Sequence, residues 1–209
     1  MKSLFITFEG PEGAGKTTIV KMIEQYFIDK KIPFLSTREP GGIRISESIR
    51  EIILSPEHTE MDSRTEALLY AASRRQHLIE KVIPALEEGK VVLCDRFIDS
   101  SLAYQGVGRN LGIEEVREIN EFAINGTMPD MTIFFDLDPS IGLRRVHEAE
   151  QREINRLDLE NIEFHQRVYE GYLKVIENDR KRFYLLDASK SIEEVYNQAL
   201  QAIEKKINE

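Results

Sequence analysis

The chain is poor in the residues that several common chemistries need. It has one cysteine in 209 residues, so no intrachain disulfide can form. That residue, Cys94, ends the apolar run Val91-Val92-Leu93-Cys94 and reads as a small buried side chain. The four histidines (His58, His77, His147, His165) are scattered without zinc-site spacing. No Gly-x-Ser-x-Gly nucleophile pattern occurs. No segment approaches the roughly 20 apolar residues of a membrane span. The apolar run near the N-terminus is short and is interrupted by Glu9, so no secretory signal is expected and the cytoplasm is the expected compartment. Basic charge is outnumbered, 28 Lys and Arg against 37 Asp and Glu, for a net charge of −9. That balance argues against nucleic acid or an anionic membrane as partner, although a few local arginines can still gather a small anionic ligand. There is no internal repeat and no low-complexity stretch.

What the chain does carry begins at residue 10. Gly10-Pro11-Glu12-Gly13-Ala14-Gly15-Lys16-Thr17, followed by Thr18, matches the phosphate-binding P-loop at every required position. An apolar strand, Leu4-Phe5-Ile6-Thr7-Phe8, precedes it, and a helical pattern of Ile19, Val20, Ile23 and Phe27 follows. Glycines let the backbone curl so that successive N–H groups point at phosphate oxygens. The helix starting there adds its positive end. Lys16 supplies a mobile cation for the outer phosphates, and the Thr17 hydroxyl can hold Mg²⁺. The expected ligand is a nucleoside triphosphate.

The length suits one domain over residues 1–209, with a small lid or insertion. Hydrophobic residues at 41% suffice for a core. Strand-like runs recur at 3–9, 33–37, 90–94, 131–136 and 183–187, with helical patterns between them. This alternation predicts an α/β fold, a five-stranded parallel sheet covered by helices on both faces. Gly89 reads as a helix C-terminus, Asp138-Pro139 as an N-cap with proline at the first helical position, and Ser191-Ile192-Glu193-Glu194 as a capping box.

Ligands in such sheets bind beyond the carboxyl ends of the strands, so the polar residues there carry the chemical signal. Asp95 follows four apolar residues, at the place where P-loop proteins keep an acidic metal-holding residue. Arg96 beside it offers planar, bidentate contacts to phosphate. Arg38 ends the second strand, ahead of the turn Pro40-Gly41-Gly42. Within residues 64–81, Tyr70 and Arg74 are four apart and share a helix face, where they could stack on a base and bond its edge. Residues 141–158 are dense in charge, as a solvated helix would be or as a mobile lid would be.

Together these residues resemble the thymidylate kinase family, in its bacterial form, nearly end to end. Thr37-Arg38-Glu39-Pro40-Gly41-Gly42, Ala72-Ser73-Arg74-Arg75 and Asp95-Arg96-Phe97-Ile98-Asp99-Ser100-Ser101-Leu102-Ala103-Tyr104-Gln105 carry the resemblance alongside the P-loop. It implies a P-loop kinase fold that transfers a phosphoryl group from ATP to dTMP with Mg²⁺. By the same resemblance Lys16 and the loop amides hold the ATP phosphates, and Thr17 and Asp95 serve the metal. Glu12 reaches the sugar 3′-hydroxyl. Arg38, Arg50 and Arg96 contact the monophosphate side. Tyr70 stacks on thymine, Arg74 and Gln105 read its edge, and Ser101 lies near the base. Tyr104 packs where a ribose 2′-hydroxyl would clash, so selecting deoxynucleotides. Some members carry a P-loop arginine where this chain has Gly13; members without it are expected to supply one from the lid, here Arg156 first and Arg152 second. The family also implies a homodimer, with helices near 65–81 or 114–124 as interface. The competing readings are a kinase for another nucleoside monophosphate and, less well supported, a nucleotide-dependent switch, for which no Asn-Lys-x-Asp run or Asp-x-x-Gly switch is present.

Overall fold

The computed structural model describes residues 3–148 and 155–209. Five parallel strands, β1 (Leu4–Glu9), β2 (Phe34–Arg38), β3 (Val91–Asp95), β4 (Met131–Asp136) and β5 (Phe183–Asp187), form one sheet in the order β2-β3-β1-β4-β5. Register is set by pairs such as Leu4 with Val91, Phe34 with Val91, Ile6 with Met131 and Thr132 with Phe183. The expected strands are all present, each within a residue of its predicted ends.

The central strands read as near-continuous apolar runs because both their faces are covered. Alternation along β1 divides the core. Leu4, Ile6 and Phe8 face α1 (Lys16–Asp29) and α9 (Ile192–Ile207), through Val20, Ile23, Phe27, Val195 and Ala199. Phe5 faces the other way, with Val92, Phe97, Phe134, Val168 and Tyr172. That second layer holds α3 (Ser63–His77), α4 (Ile83–Glu87), α5 (Ile98–Ser101), α6 (Ile113–Ile124) and α8 (Ile162–Asn178). α2 (Arg44–Leu54) packs on α3.

The expected punctuation is where the local chemistry puts it. Gly89 follows α4 at φ +78°. Asp138 accepts the Ser140 amide at the start of α7 (Pro139–Glu148). Ser191 and Glu194 close a reciprocal capping box on α9. Two features are less regular. Leu78–Val82 and Leu102–Gly108 are wound as π-helix, a form that recurs at functional sites. The second carries Tyr104 and Gln105.

The expected lid, 141–158, begins within α7 and ends in a 3₁₀ turn, Arg156–Leu159. Arg152 lies outside the described residues. Among the described residues no helix is long and apolar enough to cross a membrane.

Candidate active site

β1 lies between β3 and β4, so the chain leaves it at the switch point where such sheets open a crevice. The P-loop turns over that opening. Gly15 at φ +86° caps α1, a conformation that costs a residue with a Cβ about 1 kcal/mol or more. Lys16 is buried, and its ammonium folds back over the loop to donate to the Gly10 and Pro11 carbonyls at 3.0 and 2.8 Å. Burial, with the nearby Arg96 cation adding, pushes Lys16 down to about 8 despite Glu12, Asp95 and Glu9. A polyphosphate would supply the missing negative charge.

Thr17 Oγ1 donates to Asp95 Oδ2 at 3.2 Å. The other carboxylate oxygen, Oδ1, is buried with no partner. A hydroxyl and an under-satisfied carboxylate at the foot of a phosphate cradle are hard oxygen donors, and they fit Mg²⁺.

Arg96 sits at φ +69°, unusual for a side-chain-bearing residue, with its amide held by the Phe8 carbonyl. The guanidinium forks. Nη1 donates to the Gly10 carbonyl (3.2 Å), Ser100 Oγ (3.1 Å) and Tyr172 OH (3.0 Å). Nη2 donates to Glu12 Oε1 (2.7 Å) and Tyr104 OH (3.3 Å). Behind this fork stands Glu9, the last residue of β1. It accepts the Phe97 and Ser100 amides, the Ser100 hydroxyl and the Tyr172 hydroxyl, at 2.6–3.3 Å. Burial first, then Asp99, pushes its carboxyl up to about 7 against the pull of Arg96.

Lys16, Thr17, Asp95, Arg96, Glu12, Ser100 and Tyr104 line one cavity of about 380 Å³. Of the residues expected to bind ligand, Glu12, Gly13, Ala14, Gly15, Lys16, Thr17, Thr18, Arg38, Arg50, Tyr70, Asp95, Arg96, Ser101, Tyr104 and Gln105 are all on its wall. Gly10 and Pro11 contribute the carbonyls that hold Lys16. The Tyr104 hydroxyl reaches Glu12 at 3.2 Å, under the Arg96 guanidinium.

Besides Gly10 and Pro11, two expected site residues are not on that wall. Arg74 is 2% exposed and sits behind it. It donates to Glu39, Ser101, Asn120 and the Phe97 carbonyl, which occupies four of the five N–H groups an arginine has. Arg156, expected to reach the transferring phosphate, is buried and turned to Glu66 and the Ile53 carbonyl. Its neighbours Asn155 and Leu157 do line the cavity.

Several residues that organise the site were not anticipated. Glu39 anchors Arg74 (2.8 Å) and His77 (2.9 Å). Glu66, with no exposure at all, receives Gln105, Arg109 and Arg156. The one local signal for Glu66 is its spacing, one turn before Tyr70 and two before Arg74, so that an acid falls on the inward face of α3.

A phosphate-cradling loop, a hard-oxygen pair beside it and a nucleotide-sized cavity lined by an arginine fork are the architecture of a P-loop nucleotide kinase. The family model for thymidylate kinase matches residues 8–199. Thymidylate kinases of Geobacillus sp. (strain WCH70) and Oceanobacillus iheyensis are each 59% identical, over 203 residues (97% of both chains) and 209 residues (100% of this chain, 93% of the relative). The crystal structure of thymidylate kinase from Ehrlichia chaffeensis superposes with a TM-score of 0.78 at 29% identity, covering 98% of this chain and 99% of that one. The chain belongs to the thymidylate kinase family.

Proposed function

We propose that this cavity transfers the γ-phosphoryl group of ATP to dTMP, giving ADP and dTDP, a step toward dTTP. The observation that carries the reading is that one continuous wall joins the triphosphate cradle (Lys16, Thr17) to the Arg96 fork and to Tyr70, Tyr104 and Gln105. Donor and acceptor phosphates would therefore meet above Lys16.

The acceptor is already a phosphate oxygen, so no strong general base is needed. The protein has to hold two anions in line and neutralise charge. Lys16, held over the loop, would exchange its carbonyl partners for phosphate oxygens. Arg96 would grip the acceptor phosphate, with Arg38 and Arg50, which line the same cavity. Thr17 and Asp95 would hold Mg²⁺, which neutralises phosphate charge when bound. Glu12 would meet the sugar 3′-hydroxyl. Tyr104 would fill the space of a ribose 2′-hydroxyl, and Tyr70 would stack on the base. Gln105, with Ser101 nearby, would read its edge, with Arg74 bracing Ser101 from behind. Arg156, first choice for the lid arginine with Arg152 second, is engaged with Glu66 in the ligand-free protein and would have to leave it to reach the transferring phosphate.

The finer assignments of partner and compartment are also ours. α3 and α6 pack together and expose Leu68 and Phe122, which supports a homodimer through those helices. ATP as donor and a single cysteine suit a reducing cytoplasm.

The test is ADP release with Mg-ATP and dTMP, dUMP, UMP, dCMP, dGMP or AMP. Fast turnover with dTMP, slower with dUMP and negligible with UMP is expected. A flat panel, or preference for a ribonucleotide, would remove the roles given to Tyr70, Tyr104 and Gln105.

A further inference from the structure

We infer that Glu66 determines which end of the Gln105 amide faces the nucleobase, and so makes the cavity select a pyrimidine with an N–H donor at ring position 3 over one with an acceptor there. The inference rests on the dTMP-kinase reading and adds to it a positioning residue for specificity.

A glutamine amide is nearly symmetric in shape. Turned by 180°, it fills the same space but exchanges a donor for an acceptor. Something must break that tie if a buried glutamine is to discriminate between bases. Gln105 is buried in the π-helical segment, and its Nε2 donates to Glu66 Oε1 at 2.8 Å. Glu66 lies on α3, 39 residues away, and is itself fully buried. An ionised carboxylate only accepts hydrogen bonds. The flipped amide would set Oε1 against it, two acceptors in contact with no proton between them, which disfavours that orientation.

The charge on Glu66 is secured from the other side. Arg109 Nε reaches both carboxylate oxygens at 3.3 Å, and Arg156 Nη2 holds Oε2. Burial alone would push the Glu66 carboxyl up. Arg109, the Gln105 amide and Arg156 outweigh it and hold the group below the usual carboxylate range.

With one Nε2 hydrogen held by Glu66, the amide oxygen Oε1 is the end turned away from the carboxylate. That oxygen is buried, has no partner, and belongs to a residue on the cavity wall. A buried acceptor with no partner calls for a donor from the ligand. Thymine and uracil carry N3–H; cytosine presents a lone pair at the same position. A site built to bond a donor rejects the analogue lacking it because its own polar group is then stranded.

The test compares kcat/KM for dTMP and dCMP in the wild type, Glu66→Gln and Glu66→Asp, with thermal unfolding of each. In Glu66→Gln the two arginines retain the amide oxygen on the Oε2 side. The new NH₂ then faces Gln105, which turns its own oxygen inward and presents Nε2 to the base. The dTMP-to-dCMP ratio is expected to fall by about 30-fold or more, mainly through KM, with dCMP use held or raised. Glu66→Asp, still acceptor-only, is expected to stay selective for dTMP. An equal loss on both substrates, leaving the ratio unchanged, would overturn the inference and reduce Glu66 to a structural part. So would a wild type that uses dCMP as well as dTMP. If Glu66→Gln does not fold, Glu66→Gln with Arg109→Gln removes one charge of each sign, the buried Glu66 and the partly exposed Arg109, and is read by the same ratio. A wild type that turns over no dTMP would instead sink the proposed function.

Discussion

Gly13 of the P-loop and Gly142 of α7 meet so closely that neither has room for a side chain. A Cβ on Gly13 would lie 2.1 Å from the Gly142 carbonyl oxygen, and a Cβ on Gly142 would lie 2.1 Å from the Glu12 carbonyl oxygen. Both clashes are with backbone, which cannot swing aside, and Gly13 also sits at φ +69°. α7 therefore rests directly on the phosphate loop, and Arg145 donates to the Gly13 carbonyl at 3.4 Å.

Gly142→Ala, whose clash is steric with no φ strain on its own backbone, is expected to push α7 off the loop. The KM for ATP should rise and kcat fall, each by about tenfold, while unfolding shifts by about 1–3 kcal/mol. Steady-state kinetics beside calorimetry would check it. Unchanged kinetics would show that the loop and α7 are not coupled.

Lys16→Met should abolish turnover and yet leave the ligand-free protein as stable as the wild type or more so. Folding lowers Lys16 from 10.5 to about 8, so between those values the folded state binds fewer protons than the unfolded chain. Wild-type stability contributed by this group therefore rises with pH across that window, and the full penalty is carried below pH 8. The advantage of the methionine variant should be largest below that pH and shrink toward 10.5. Denaturant melts of both proteins from pH 7 to 10.5 would show it.

Glu9→Gln tests the support behind the arginine fork. Folding raises Glu9 from 4.5 to about 7, so the folded state binds more protons in that interval and the wild type loses stability as pH rises through it. The glutamine variant lacks this dependence. The stability of the wild type relative to the variant should therefore decline between pH 4.5 and 7 and level off above. A weaker hold on Ser100 and Tyr172 should also loosen Arg96 and raise the KM for dTMP several-fold. A pH-independent difference would show that Glu9 does not titrate there.

Phe122 is 90% exposed on α6. If α3 and α6 form the dimer face, Phe122→Glu should convert a dimer to a monomer in sedimentation while the fold, followed by circular dichroism, is retained. A wild type that sediments as a monomer would end the proposal.

Local chemistry alone determined much of this protein. The P-loop, the five strands, the caps at Asp138 and Ser191 and the polar residues at the strand ends follow from short stretches of chain, because turn sterics, capping and apolar periodicity act within a few residues. What those residues touch was decided by the tertiary structure. Arg74, from its spacing to Tyr70, and Arg156, from the family resemblance, are expected to face ligand, and both are buried against acids, Glu39 and Glu66. Glu9 and Glu66, unremarkable in sequence, hold the two halves of the site. Their partners lie 163 residues away in Tyr172 and 90 away in Arg156. A charged side chain is stable in the interior only where distant segments bring it a counter-charge or donors, and no local pattern records which segments the fold will bring together.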